Sequence, residues 1–533
     1  MTLKARIENG IVYSPYPSEP VPEMSFYQVV KQCLEKHGNR TAVVWEDEEI
    51  TFAEFLKMLR RYATGLQKHG IQKGDKVLVH LDNSLENMIA LYSVMFAGGV
   101  AVLSVPALSN ADIFYRTQHS NATYIVTTAS EANRFSEVRD KLQVKGYFTT
   151  GVFPGFLSMT EFQKLNENDF QECHIEDFKS EVIVLSFTSG STGPPKAVEH
   201  THYSFVAALP RPKRLNCDYV FSGPDVFATW VSITLFAGLR FYLRASCSGA
   251  KIVLFSSPSD TAKILDTMRK YRVTMFLGSV NLLVTLARKM EEEGIRLDSL
   301  KTVLTSGTIA SPQILKQLEP SFDPAIVKDC YGSTEVGGIC SPPMGASKGY
   351  GIGFPVSMAQ IKIVDTTSGK TLGPNEQGEA LVKSPCAMKG YYKNPDATSR
   401  TITLNGWVRT GDICYYNEEG WFFFVERMNQ LFRCMGITVA PSSIESVLLS
   451  HEGIKEAAVI GVPHPKYMEA AMAFVVLNTA HSKLTEIEIE KFVAGQLGIY
   501  MHLHGGVKFV HTIPKDGSGK VQKTKLQALQ LCD

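Results

Sequence analysis

Hydroxyl, glycine and lysine residues crowd one short stretch, Ser186 to His202, which reads SFTSGSTGPPKAVEHTH. Gly190 and Gly193 free the backbone to turn successive N–H groups inward. The hydroxyls of Thr188, Ser189, Ser191 and Thr192 can donate to phosphate oxygens, and Lys196 can neutralise their charge. Such a set suits a bound phosphate. It is not the phosphate loop of an ordinary NTPase, in which lysine directly precedes Ser or Thr so that the hydroxyl ligates magnesium. Here Lys196 follows Pro194-Pro195 and precedes Ala197. A flexible Ser/Gly linker has a similar composition, but this run directly follows the apolar, strand-like VIVLSF (182–187). That position speaks against a linker.

The elements that must carry this loop follow from the hydrophobic pattern. DKVLVHL (75–81), VAVLSV (100–105) and TYIVTT (123–128) are separated by helix-like stretches at 84–97 and 110–119. The alternation recurs with KIVLF (251–255), VTMFLG (273–278), TVLTSG (302–307) and AIVKDCYG (325–332), separated by helix-like 259–271, 280–293 and 312–319. Fully apolar strands alternating with helices indicate parallel sheets covered on both faces, and two such blocks predict two layered subdomains. After about residue 350, QIKIVD, GEALVKS and the hairpin-like ICYYNEEGWFFFV alternate without helices, as in a small antiparallel barrel or sheet. A compact α+β pattern follows: a helix after Pro441, the strand-like AAMAFVVLN, the amphipathic LTEIEIEKFVAGQL and VKFVHTIP. A domain boundary is placed near Glu426-Arg427.

Bulk properties narrow the partners. The 533 residues exceed one ordinary core. Lys and Arg number 54 against 53 Asp and Glu, a net charge of +1, which gives no support to nucleic-acid binding or a polybasic membrane patch. A small-molecule partner is expected. The ten cysteines form no CxxC pair and no zinc-spaced cluster, so they read as reduced thiols. The uncharged segment 88–108 is long enough to span a bilayer, yet Gly98-Gly99 and Pro106 divide it into a buried helix, a turn and a buried strand. With no signal-peptide pattern at the N-terminus and no peroxisomal tripeptide at the C-terminus, a cytoplasmic protein is expected, with no transmembrane segment.

SFTSGSTGPPKAV resembles the signature loop of the adenylate-forming ligase superfamily, which contains acyl-CoA synthetases, coumarate–CoA ligases, beetle luciferases and peptide-synthetase adenylation domains. YGSTE (331–335), GWVRTGD (406–412), ERMNQLFRCMG (426–436) and PKDGSGK (514–520) follow in the family's order and approximate spacing. The resemblance covers nearly the whole chain. It implies an α/β fold: a large N-terminal adenylation domain (1–425) of two layered α/β subdomains plus a small β-barrel, then a small mobile α+β domain (426–533).

The implied reaction is attack of a carboxylate on the α-phosphate of ATP, giving acyl-AMP and pyrophosphate, after which the thiol of coenzyme A displaces AMP. The substrate brings its own nucleophile, so the protein supplies alignment and charge stabilisation. By resemblance, the loop from Thr188 to Lys196 holds the β- and γ-phosphates, with His202 at the end of the same motif. Tyr331 stacks on adenine, with Asp329, Cys330 and Gly332 beside it and Ser306, Gly307 and Thr308 bordering adenine and the acyl pocket. Thr334 touches the α-phosphate, and Glu335 holds Mg²⁺, a hard cation suited to oxygen ligands. Asp412 takes both ribose hydroxyls and Arg427 supports the same sugar. Lys520, from the C-terminal domain, bridges the carboxylate and the α-phosphate. Glu426 occupies the hinge position, while Arg433 and Gly436 lie along the coenzyme A path. Leu235, Phe236, Gly337 and Gly338 border the acyl chain. ATP, Mg²⁺ and coenzyme A are the implied cofactors.

The chain also departs from the family. Ala197 replaces the usual Gly, Cys330 stands where Gly is common, and the three lysines frequent after the hinge in CoA ligases are Asn429, Arg433 and Met435 here, of which Met435 loses a side chain that by resemblance lies beside coenzyme A. The gate segment TLFAGL (234–239) lacks the family's His, which favours a fatty or other apolar acid. Two alternatives share the motifs: a luciferase-like oxidase acting on its own adenylate, and a catalytically silent homologue that binds lipid or nucleotide.

Overall fold

VAVLS at Val100–Ser104 offers no polar face, and all of it is buried. A strand apolar on both faces needs cover on both sides, which crossover helices provide in a parallel sheet. The computed structural model of the chain, described over residues 3–137, 139–188, 194–209, 221, 223–255, 260–307, 310, 312–343, 351–478, 484–515 and 521–530, contains such a sheet. Val100–Ser104 lies parallel between Lys76–His80 and Val182–Phe187 in an eight-stranded sheet. The uncharged 88–108 segment is divided as expected, into the helix Leu85–Phe96, a turn and that strand. Gly98 makes the turn at φ +90°, where a Cβ would meet the Cys173 sulfur. Among the described residues no helix is long and apolar enough to cross a membrane.

The second apolar block forms its own nine-stranded sheet, whose parallel centre is Lys251–Leu254, Val226–Thr229, Met275–Gly278, Thr302–Ser306 and Ile326–Ser333. Its helices are capped as their sequences dictate. Val280–Glu293 starts at Ser279, whose hydroxyl accepts from the Leu282 amide, and ends at left-handed Gly294. One continuous core joins both sheets: Val77, Val79, Ala101 and Leu103 from one, Phe227, Met275 and Leu304 from the other, and Phe55, Tyr92 and Tyr242 from helices. The two subdomains therefore share a helical layer.

The region after residue 350 forms a six-stranded antiparallel sheet that also recruits the N-terminus. Ile11–Tyr13 pairs with Gln360–Val364, and Val408–Tyr416 with Phe422–Arg427 closes the other end. A separate five-stranded sheet starts at Phe432–Cys434 and is dominated by the hairpin of Ile454–His464 and Met468–Leu477. The expected boundary at 425/426 falls inside the strand Phe422–Arg427, which stays paired to its last residue. The eight cysteines of the described residues are all free thiols.

Candidate active site

Ligands of open α/β sheets bind beyond the carboxyl ends of the parallel strands. Thr302–Ser306 and Ile326–Ser333 run side by side to that edge, with Ser306 opposite Cys330. Ser306, Gly307, Asp329, Cys330, Tyr331, Gly332, Thr334 and Glu335 are thus brought to one end of the nine-stranded sheet. Thr308 lies outside the described residues. Asp329 ties the strands together: its carboxylate accepts from the Thr305 hydroxyl (2.6 Å) and the Ala310 amide (2.9 Å). Burial pushes its pKa up to about 6 despite those bonds. Beyond it the chain folds back through Gly332, paired with Gly338. A Cβ on Gly332 would sit 2.4 Å from the Gly337 carbonyl oxygen, so only glycine fits this approach.

The residues that the resemblance assigns to the sugar form a closed polar network. Asp412 and Arg427 face each other across the antiparallel hairpin, with Arg427 Nε 2.7 Å from Asp412 Oδ1. The Tyr331 hydroxyl donates to Asp412 Oδ2, and the Asp412 amide donates to Thr410 Oγ1. Asp412 is fully buried. Burial first, then the neighbouring carboxylate, pushes the Tyr331 phenol's pKa well up, which keeps it a donor. The turn before Asp412 is held by buried Glu379, which accepts from Arg409 (2.5 Å) and the Gly411 amide. The resemblance implies a Tyr331 face stacked on adenine; here the ring is 5% exposed, with its hydroxyl turned to Asp412.

The residues that the resemblance assigns to the phosphates are built differently. Thr188 and Lys196 flank the loop and pin its base: the Thr188 amide donates to the Lys196 carbonyl (3.0 Å), and the Lys196 amide to Thr188 Oγ1 (3.2 Å). Ser189, Gly190, Ser191, Thr192 and Gly193 lie outside the described residues, as does Lys520. The Lys196 ammonium stands 4.5 Å from the Tyr391 ring centroid, and the Tyr391 hydroxyl donates to Glu335 Oε1 (2.9 Å). The Glu335 carbonyl accepts from the Met388 amide (2.7 Å). Among the described residues no group of three or more His, Cys, Asp or Glu could hold a metal. A single carboxylate suits magnesium that arrives with phosphates and keeps most of its oxygen ligands from them and from water.

Of the residues expected to border the acyl chain, Phe236 opens the helix Phe236–Ser248 with Leu235 as its N-cap residue. The Phe236 ring stacks on His200 at 4.1 Å, and His200 Nε2 lies 3.0 Å from Ser186 Oγ. Burial, with Arg240 nearby, holds the His200 pKa well below the usual histidine range. One turn on, buried Arg240 reaches the rings of Phe205 and Phe236 and packs against Gly337, beside Gly338. His202 is engaged elsewhere: its Nδ1 accepts from the Phe26 amide (3.3 Å), and burial lowers its pKa to about 4.

Glu426 is buried, and its carboxylate accepts from the Arg427 amide (2.9 Å) and the Ser442 amide (3.0 Å). Ser442 Oγ in turn donates to the Val425 carbonyl. The strand thereby latches onto the first turn of the helix Pro441–Leu449. Arg433 and Gly436 lie on a hairpin of the C-terminal sheet, where the Arg433 amide donates to Glu469, away from the Asp412 and Glu335 clusters in their bonding. Tyr391, Arg240 and Glu379 are the residues that sequence reasoning did not reach. Each acts through a fold-back from a distant segment, and none has a charge pattern or spacing of its own.

A family model described as AMP-binding enzyme matches residues 30–392, and one for the AMP-binding enzyme C-terminal domain matches 443–520. A 4-coumarate–CoA ligase of Nicotiana tabacum is 28% identical over 529 residues, covering 98% of this chain and 95% of the relative. Among solved structures, an o-succinylbenzoate CoA synthetase from Bacillus subtilis, in complex with its acyl-adenylate intermediate, is 25% identical with a TM-score of 0.80, covering 95% of this chain and 98% of that one. ATP-bound MatB from Rhodopseudomonas palustris superposes with a TM-score of 0.84 over 95% of this chain and 99% of that one; at 23% identity this is a likeness of fold.

Proposed function

The chain belongs to the AMP-binding, adenylate-forming enzymes, within their ATP-dependent acid–CoA ligases, and on that premise we propose that it activates an apolar carboxylic acid. A carboxylate oxygen bonds to the α-phosphorus of ATP as the bond to the β-phosphate oxygen breaks, releasing pyrophosphate. The thiol of coenzyme A then bonds to the acyl carbon as AMP leaves. The observation that carries this reading is that residues of four separate motifs form two clusters, Asp412 with Arg427 and Tyr331, and Glu335 with Lys196 through Tyr391, joined by the single segment 331–335.

In this reading Asp412 and Arg427 take the ribose, Tyr331 and its neighbours the adenine, Thr334 the α-phosphate and the loop ending at Lys196 the leaving pyrophosphate. Glu335 would hold Mg²⁺, which supplies neutralisation of phosphate charge when bound. Lys520 would stabilise the charge that grows on the oxygens around phosphorus. The second half-reaction requires the domain from 426 onward to turn about Glu426, so the Glu426–Ser442 latch must open. Arg433 and Gly436 would then line the thiol's path.

Leu235 and Phe236 support an apolar acyl body. A second reading of the acid is favoured by one observation, the Arg240 guanidinium against Gly337: an apolar body bearing an acceptor group would meet it there. A panel of straight-chain, aromatic and carboxylate-bearing acids, assayed for pyrophosphate release with and without coenzyme A, tests the proposal. Acid-dependent release with thioester formation is expected. Lys520→Ala should lose release yet form thioester from supplied acyl-AMP; equal loss of both half-reactions would sink the role given to Lys520. Release without any thioester product would point to the oxidase alternative, and no release with any acid to a silent homologue.

A further inference from the structure

We infer that Tyr391 is a positioning residue that holds the phosphate-binding cation and the metal-binding carboxylate in register, an inference that rests on the nucleotide roles proposed above for Lys196 and Glu335. Lys196 immediately precedes the strand Ala197–Thr201 of the eight-stranded sheet, whereas Glu335 lies in the turn after Ile326–Ser333 of the nine-stranded sheet. Two groups that must act on one triphosphate therefore depend on different sheets. Tyr391 joins them. Its backbone pairs with Val198 next to Lys196, its ring face meets the Lys196 ammonium at 4.5 Å, and its hydroxyl donates to Glu335 Oε1 at 2.9 Å.

The ring is itself fixed. Tyr391 is 5% exposed and packs with Val198, Met388 and Ala397. The Tyr391 amide donates to Thr398 Oγ1 (2.9 Å), and the Tyr392 amide to the Ala197 carbonyl (2.8 Å). Two different interactions leave this one side chain. The aromatic face attracts the cation through its quadrupole, and the hydroxyl makes a charge-assisted bond that orients the carboxylate. Lysine and glutamate of opposite charge, both touching one ring, are kept on separate partners instead of closing on each other. A hydrogen bond that leaves one Glu335 oxygen engaged also fixes where the other points, which is what a ligand supplying a single carboxylate needs.

The two contacts can be separated by substitution. Tyr391→Phe keeps the ring and removes the donor; Tyr391→Leu removes both. ATP binding, followed by calorimetry over a magnesium series, reads the effect without knowledge of the acid. Tyr391→Phe should raise the magnesium concentration needed for half-maximal ATP binding about tenfold, with affinity recovering to within about twofold at saturating magnesium. Tyr391→Leu should in addition bind ATP about tenfold more weakly at saturating magnesium. In a Glu335→Gln background, Tyr391→Phe should add nothing further.

Wild-type magnesium dependence in Tyr391→Phe would overturn the inference, as would an undiminished effect in the Glu335→Gln background. So would weaker binding that follows only a loss of folded protein by circular dichroism. Wild-type protein that binds no ATP with magnesium would instead sink the nucleotide reading, and the inference with it.

Discussion

The Asp412 and Glu335 clusters hold charges of the same kinds in opposite ways. Asp412 is fully buried and already engaged on both oxygens, by Arg427 and by Tyr331. Among the described residues, Glu335 is only half-buried and is held by a single side-chain hydrogen bond, while Lys196 meets an aromatic face instead of an anion. A buried carboxylate without partners is costly, so the Asp412 cluster must be complete before any ligand arrives. The half-buried Glu335 and Lys196 are not so constrained. The difference fits the proposed roles, in which the nucleoside would be gripped by a preformed network and the phosphates would bring charge and metal that a closed ion pair would exclude.

The widest gap between the two is expected on truncating the carboxylates. Asp412→Ala leaves the Tyr331 hydroxyl and the half-exposed Arg427 without their shared acceptor, a loss of about 2–3 kcal/mol once solvent around Arg427 is allowed for. ATP should bind at least about a hundredfold more weakly, and thermal unfolding should shift downward. Glu335→Gln should leave unfolding unchanged and raise the magnesium requirement about tenfold. Equal thermal shifts in the two variants would erase the contrast.

A smaller effect is expected from Gly332→Ala. Its Cβ would sit 2.4 Å from the Gly337 carbonyl oxygen, and relieving that contact should cost about 1–3 kcal/mol. Because Gly332 sits between Tyr331 and Thr334, urea unfolding and ATP affinity should both weaken; an unchanged affinity would show that the two clusters do not share this turn.

The smallest effect concerns pH. Asp329 has its pKa raised to about 6 in the folded chain by burial. Between the ordinary aspartate value and about 6, the folded state binds a proton that the unfolded state has released. Stability therefore falls as pH rises across that window and levels off above it. Asp329→Asn should flatten this part of the stability–pH curve, measured by urea midpoint from pH 4 to 7; an unaltered slope would assign the dependence to another group.

The repeated strand–helix blocks were legible because most of the strands are apolar on both faces and several of the helices carry their own N-caps, Ser84, Ser109, Asp260 and Ser279. Val280–Glu293, bounded by Ser279 and Gly294, coincides with the helix expected from periodicity alone. Ile454–His464 was not legible: its burial follows no simple alternation, and its pairing with Met468–Leu477 supplies the order. Thr41–Trp45 and Ile11–Tyr13 were not legible either: each pairs on one side with a neighbour in sequence and on the other with a strand hundreds of residues away. Of the candidate site residues, Asp412, Arg427, Tyr331 and Glu335 were legible from motifs. Glu426 reads as a charge at a boundary, yet the structure buries it against Ser442.

The sequence by itself determined the chemistry on offer: a hydroxyl-rich loop ending in lysine, a Tyr-Gly-Ser-Thr-Glu turn, and an aspartate before an arginine, on alternating apolar strands and helices. These are local properties, set by residue type and short-range spacing. Only the tertiary structure decided that the Tyr391 ring stands between Lys196 and Glu335, that Arg240 lies against Gly337, and that Asp412 is sealed by Tyr331. Those contacts join segments far apart in the chain, carried by the six-, eight- and nine-stranded sheets and one helix, whose long-range pairing and packing no local pattern specifies.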